Sequence, residues 1–429
     1  MTPPPASESC DLVIVGAGPA GLAAAQAAAA SGASIVVIDD NIAPGGQIWR
    51  DGPGVALAPA ARRLRDAVAA CANVRVCSGT RVVAAPGPRQ LLLEDAQRGW
   101  LLRWDTLILC TGARELLLPF PGWTLPGVTG AGGLQALIKG GMPVAGERIV
   151  IAGSGPLLLA AAATATQAGA TVVRIAEQAA WRNVARFAAQ LGRWPAKAAQ
   201  ALALGHAAYR AGSHVLSAQG DGGVRTVWLH RGQRRVEDIA CDRLACGFGL
   251  VPNTELGWLL GCEVAARDGS LALAIDAGQA TSVANVYAAG ECTGIGGSER
   301  ALLQGAMAGH AAVGQAAQAA ALRRPLARWD RFAALVQRHF ALAPGVRQLT
   351  APDTLVCRCE DVPCSALVGR AGWVDAKLHT RCGMGACQGR ICGAATQQLF
   401  GWTPTTPRPP LSPVRIETLA ALAADAAEN

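Results

Sequence analysis

Charge and aromatic side chains are both sparse in this chain. Only 16% of its 429 residues are charged and 4% are aromatic, with two tyrosines and six histidines. Because 51% of the residues are apolar, extensive disorder is nevertheless excluded. The length exceeds one compact core and predicts two or three domains. The 38 basic residues against 30 acidic ones give +8, with the arginines scattered along the sequence. Nucleic-acid binding needs a basic face with stacking rings, and neither is visible; the excess suits a soluble surface or an acidic partner. Met1–Ser9 lacks the charged and apolar regions of a secretion signal. No uncharged apolar run reaches membrane-spanning length, so a cytoplasmic protein is expected. Cys-x-x-Cys is also missing, although there are fourteen cysteines. In such a chain they point to thiols and metal ligands rather than disulfides.

What is present starts with a strand. Asp11–Val15 is apolar, Gly16-Ala-Gly18-Pro19-Ala20-Gly21 follows at once, an Ala-rich helix runs to about Ser31, and Ile35–Ile38 ends at Asp39. The first glycine permits the tight turn, the second lets a pyrophosphate approach the backbone, and the third lets helix and strand pack closely. The helix N-terminus offers free N–H groups to phosphate, and Asp39 stands where a carboxylate can bond a ribose. A second unit begins at Arg148–Ile151, with Gly153-Ser-Gly155-Pro-Leu-Leu158 opening its helix and Thr171–Ile175 as its next strand. Two such units predict parallel sheets and an α/β fold. Pro119–Gly146 reads as a connection and Arg182–Ala211 as one or two basic helices broken at Trp194-Pro195. Ala280–Ala289 reads as a strand, Glu299–Ala321 as one long helix, and Arg323–Pro352 as a linker with one helix.

Two further segments bear on the nucleotide. Leu107–Gly112 ends an apolar strand in Thr111-Gly112, and Thr281–Glu291 ends in Gly290-Glu291. With the glycine turn they resemble the FAD signatures of the two-dinucleotide-domain flavoproteins, which include glutathione and thioredoxin reductases. The resemblance implies FAD held by Gly16, Gly18, Pro19, Ala20, Gly21 and Asp39. It extends to Gly46 and Gln47 of a loop beside the flavin, and to Val83, Thr111 and Gly112. Gly290, Glu291 at the ribityl chain, and Arg300 and Ala301 opening a helix aimed at the flavin complete the set. Second-site contacts fall on Gly153, Gly155 and Glu177, but Leu158 replaces the third small residue and no arginine pair follows. NAD(H), another nucleotide such as ATP, and a structural remnant all stay open there. Reductases of this type keep a cysteine pair beside the flavin. The only central candidate, Cys241-x₄-Cys246, lies in an apolar, strand-like context and reads as core.

Four cysteines remain, Cys357-x-Cys359 and Cys382-x₄-Cys387, able to hold a metal centre. The segment resembles the bacterioferritin-associated-ferredoxin type of [2Fe–2S] domain, with zinc or a metal-free fold as alternatives; nearby Cys364 and Cys392 read as packing. Leu118–Val128, Ala152–Leu158, Thr380–Arg390 and Arg408–Pro413 resemble the alpha subunits of multi-subunit amino-acid dehydrogenases. That group contains opine oxidases, hydrogen cyanide synthase, D-hydroxyproline and L-proline dehydrogenases, with a tail like that of sarcosine oxidase alpha subunits. It implies a split FAD domain (9–118 and 251–322), an inserted NAD(P)-binding-like domain (119–250), a linker (323–352), a [2Fe–2S] domain (353–402) and a tail (403–429). It also implies a beta-type flavoprotein partner that oxidises the amino or imino acid, a small ferredoxin-like gamma subunit, and peripheral contact with a membrane acceptor. The six dispersed histidines suggest no amine-oxidising constellation of the chain's own. The rival readings are a stand-alone NADH-dependent flavin/iron–sulfur reductase and a non-enzymatic, zinc-stabilised assembly subunit.

Overall fold

The computed structural model describes residues 7–53, 55, 57–232, 235–267, 269–420 and 422. The first six residues of the stretch read for a leader, and the end of the 403–429 tail, lie outside the described residues. Strand β1 (Ser7–Val15) has Leu12, Val13 and Ile14 fully buried, as befits a central parallel strand covered on both faces. It pairs in parallel with β2 (Ile35–Asp39) and with Gly99–Leu109. Val74–Ser78 extends this sheet beyond β2, and the antiparallel strands Gln90–Glu94 and Arg81–Ala84 extend it on the other side. Val286–Ala288 returns from far along the chain to pair with Leu107–Leu109. Helix α1 (Pro19–Ala29) lies on the sheet against Ser298–Ala312. A Cβ on Gly305 would sit 2.0 Å from the Ala20 carbonyl oxygen, and one on Gly309 2.3 Å from that of Ala24. The small residues thus turn an Ala-rich sequence into a close helix pair.

The second sheet is wholly parallel, in the order Tyr209–Ala211, Thr171–Glu177, Arg148–Gly153, Arg243–Gly247, Val128–Gly130. Its edge strand Val128–Gly130 and the helix Ala131–Lys139 both lie within the stretch read as a plain connection. The turns there bracket short elements rather than replace them. Of Ala280–Ala289 only Val286–Ala288 is strand. Asn285 adopts φ 61° and Thr281 Oγ1 bonds back to the Val286 carbonyl, so the residues before it form a turn. The long helix expected over Glu299–Ala321 breaks into Ser298–Ala312 and Ala316–Ala321 at Gly314, φ 76°.

Arg323–Phe340 is an 18-residue helix. It packs on Trp181–Gln190, and its Arg328, Arg331 and Arg338 line one open cavity of about 400 Å³ together with Arg193, Gln190 and Trp194. The C-terminal module has its own small core, including Val356, Leu367, Trp373 and Ala395. Trp123 Nε1 donates to the Leu355 carbonyl at 2.7 Å, and the Arg358 guanidinium stacks 5.1 Å above the Trp123 ring. The tail returns to the first domain, where Leu411 N–H donates to the Val83 carbonyl and Thr418 Oγ1 to Glu94.

Candidate functional site

The first glycine turn is assembled by close backbone packing. Gly16 has φ 106°, and a Cβ there would lie 2.2 Å from the Cys110 carbonyl oxygen, while one on Gly21 would lie 1.7 Å from that of Gly16. Gly18 differs, because a Cβ would meet only the Cα of Gly46, at 3.8 Å. The space over the second glycine is thus walled by another residue without a side chain, which leaves room for a pyrophosphate. Asp39, nearly buried, accepts N–H bonds from Ala17 at 2.5 Å and Asn41 at 2.8 Å, fixing the strand end against the turn. Gly290 abuts Ala20 and donates its N–H to Gln304 Oε1 at 3.1 Å. Gly16, Gly18, Pro19, Ala20, Gly21, Asp39, Gly46, Gly290 and the buried Ala301 therefore converge around one cradle, and α1 aims its free first-turn N–H groups into it.

The side chains of other expected contacts make bonds within the protein. Arg300 is 4% exposed, donates from Nε to Asp330 at 2.7 Å and from Nη1 to the Gly294 carbonyl at 2.8 Å, and so ties two helices together. Asp330 lies on the helix Arg323–Phe340. Glu291 accepts the N–H of Gly297 at 2.7 Å and that of Gly296, and burial raises its carboxyl above the usual range. Val83 is fully buried among Ala84, Leu92 and Leu101. Gln47 is exposed and accepts from Arg50. Thr111 Oγ1 donates to the Asn253 carbonyl at 2.6 Å, beside Gly112 at φ 68°. Cys292 is buried near this strand end with its thiol pushed up to about 11 by desolvation, while Cys246 is buried on the second sheet and Cys241 is buried just before that strand.

The second turn repeats the backbone design, with Gly153 (φ 148°) against the Gly247 carbonyl, where a Cβ would come within 2.0 Å. Leu158, in place of the third glycine, is accommodated by Gly247, whose missing Cβ would meet the Leu158 side chain at 3.1 Å. Glu177 has no solvent exposure, and its carboxylate accepts N–H bonds from Gly155 at 2.7 Å and Ala179 at 2.8 Å.

The C-terminal loop gathers five thiols rather than four. Cys357, Cys382 and Cys392 are buried, with their sulfurs mutually within 4.8 Å. Cys387 bonds to Cys392, and exposed Cys359 meets Cys387. Cys392, read from its spacing as a packing residue, therefore belongs to the group. Left-handed backbone at Arg381 (φ 63°), Gly383, Gln388 and Gly389 winds the segment so that residues ten apart meet. Cys364 packs at the edge of the module's core instead. Hydrogen bonds from Cys382 and Cys392 hold the Cys357 thiol far below its usual value, and one from Cys392 lowers Cys387 to about 5. The proton donor to Cys357 is pushed up in turn, Cys382 to about 12. Backbone N–H groups of Gly383 and Glu360 point at Cys357 and those of Ile391 and Gly389 at Cys387. Clustered thiols with N–H donors aimed at sulfur suit a thiolate-bound metal centre. The loop also touches the first domain: Arg114 Nε donates to the Arg390 carbonyl at 3.0 Å, while its Nη1 bonds Asn253 and Glu255 at 2.8 Å.

The profile of the family described as pyridine nucleotide-disulphide oxidoreductase matches residues 10–319. An opine oxidase subunit of Rhizobium meliloti is 33% identical over 457 residues, spanning 96% of this chain and 98% of that protein. Hydrogen cyanide synthase subunit HcnB of Pseudomonas aeruginosa is 32% identical, spanning 96% and 99%. Among solved structures, L-proline dehydrogenase from P. horikoshii superposes with a TM-score of 0.69 at 18% identity, covering 96% of this chain and 80% of that one. T. acidophilum thioredoxin reductase gives 0.53 at 23% identity, covering 76% and 99%. These structures report the fold, a thioredoxin-reductase-like α/β architecture.

Proposed function

The chain belongs to the pyridine nucleotide-disulphide oxidoreductase family, among relatives that are opine oxidase and hydrogen cyanide synthase subunits, and we propose that it is the electron-relay subunit of a heteromeric amino- or imino-acid dehydrogenase. It is an FAD-dependent oxidoreductase. In this reading FAD lies on the Gly16–Gly21 turn and four of the five clustered cysteines hold a [2Fe–2S] centre. When bound, the flavin supplies two-electron acceptance and the cluster one-electron steps. The residues present fit both groups, through the open space over Gly18 and the N–H-lined thiols.

The observation that carries the proposal is Arg114. Two residues beyond Gly112, it fastens the strand end of the flavin domain to the cysteine loop, whose Arg390 lies between Cys387 and Cys392. The chain thereby packs its thiol group against the domain that holds the flavin. Partner subunits are supported by the relatives, which are themselves named subunits of opine oxidase, hydrogen cyanide synthase and sarcosine oxidase. A partner flavoprotein would oxidise the amine, because the histidines of this chain are engaged apart from one another or in a stacked pair: His310 with Gln315, His379 with Asp375, His339 with Gln190, and His214 on His230.

The test is to purify the chain alone and with the flavoprotein encoded beside it, then assay octopine, nopaline, proline and hydroxyproline with an artificial acceptor. Turnover is expected only with the partner, together with iron in the chain and a reduced-cluster signal in electron paramagnetic resonance. Full-rate oxidation by the chain alone, or zinc in place of iron, would overturn the reading.

A further inference from the structure

We propose that the second glycine turn is filled by the chain's own connecting segment, and that Phe340 is the residue that keeps nucleotides out of it. The inference deepens the relay reading, on which it rests only for the claim that electrons enter elsewhere. In a dinucleotide-binding turn the second glycine exists to let a pyrophosphate reach the backbone. Here that space is taken. A Cβ on Gly155 would meet Phe340 Cβ and Cγ at 3.7 Å, so a phenylalanine side chain lies where the phosphates would. At the equivalent Gly18 the neighbour is Gly46, which projects nothing.

The segment is bonded in place rather than merely resting there. Ser154 Oγ, within the turn, donates to the Phe340 carbonyl at 2.7 Å. Gln178, next to the buried Glu177, donates from Nε2 to the Ala341 carbonyl at 3.0 Å and accepts from Ala343 N–H on Oε1 at 3.0 Å. The Phe340 ring stands edge-on to Phe187 at 5.0 Å, on the helix that follows the second strand. Two carbonyl oxygens now face a turn whose nucleotide-binding role needs N–H donors, and acceptor against phosphate is repulsive. The acid that would bond a ribose, Glu177, has no solvent exposure, and its neighbour Gln178 is bonded to the strap.

A second consequence follows from position. The strap is the start of the tether to the cysteine module: Val346 is buried in the second domain's core, and Thr350 Oγ1 donates to the Pro119 carbonyl at 2.8 Å. A fold that elsewhere admits a mobile cofactor here anchors the thiol-bearing module.

FAD-loaded wild-type protein and the variants Phe340→Ala and Gln178→Ala should be titrated with NADH, NADPH and ATP by calorimetry, with retained flavin and circular dichroism as folding checks. Wild type is expected to show no saturable binding and no flavin bleaching by anaerobic NADH. At least one variant should gain binding of about tenfold or more over wild type. Saturable binding of any of the three to wild type overturns the proposal, as does a folded, flavin-loaded pair of variants that binds no better. Neither outcome depends on a partner subunit, so failure here leaves the relay reading standing, and failure of the relay reading leaves this one testable.

Discussion

Glu177 offers a quantitative test of whether the second turn is structural. Burial pushes its carboxyl from 4.5 up to about 7, against the opposing N–H bonds of Ala179 and Gly155. Desolvation wins because no solvent reaches the group. The folded pKa lies above the unfolded one, so the folded state binds the proton more tightly. Stability from this group is complete below pH 4.5 and is lost as pH rises through about 7. A rise of that size corresponds to about 3 kcal/mol. Glu177→Gln removes the titration while keeping the side chain's length. Urea unfolding of both proteins across pH ~4.5–8 should show wild type losing about 3 kcal/mol relative to the variant over the window, with the difference flat above it. Glu115 and Glu291 are also raised by burial, but they are common to both proteins and cancel. A wild-type-minus-variant difference that does not change with pH would refute the reasoning, and would mean that burial does not hold this carboxyl raised.

Cys392→Ser should lower iron content and the reduced-cluster signal severalfold, whereas Cys364→Ser should leave both near wild type; the reverse pattern would return the ligand set to the four residues suggested by spacing. Asp39→Ala should weaken FAD binding by roughly 10- to 100-fold, the value of about 1.5–3 kcal/mol for bonds to a charged acceptor, read by equilibrium dialysis of flavin fluorescence. Gly305→Ala forces a methyl to within 2.0 Å of the Ala20 carbonyl and should cost about 1–3 kcal/mol in thermal or urea unfolding. Gly345→Ala, where nothing lies within 4 Å, should be nearly neutral.

The parts legible from sequence were those whose physics is local. Strand, glycine turn, helix, strand and acid follow one another without interruption in β1, α1 and β2, and each glycine's task follows from its neighbours. The first glycine of each unit does lie against a strand-end carbonyl, Cys110 in one and Gly247 in the other. What sequence did not reveal was chemistry that depends on distant chain. Arg300 is placed by Asp330, thirty residues on, and Glu291 by the loop entering the next helix. Cys392 joined the thiols because four left-handed residues curl the loop, and two of those four are not glycine. The positive-φ glycines were visible in the sequence; the same conformation at Arg381 and Gln388 was not. The arginine-lined cavity likewise forms only once segments far apart in the chain are packed together.

The two glycine turns show why a fingerprint of this kind underdetermines binding. Both have a first glycine that packs on a carbonyl, a second with nothing but hydrogen on its α-carbon, and an acid that accepts a turn N–H. What separates them is the segment laid over the second glycine: Gly46 in one case, Phe340 in the other, each from outside its βαβ unit. Under the relay reading the difference has a direct consequence. With the second turn filled, no pyridine nucleotide reaches the flavin from that side, and the buried thiols on the second sheet offer no dithiol in exchange. Electrons must then arrive from another protein, and the cysteine loop held against the flavin domain by Arg114 is the group of redox-capable side chains available to pass them. The same strap that closes the nucleotide site fixes the tether of that loop, so opening one should loosen the other: a variant that gains nucleotide binding should also lose cluster stability.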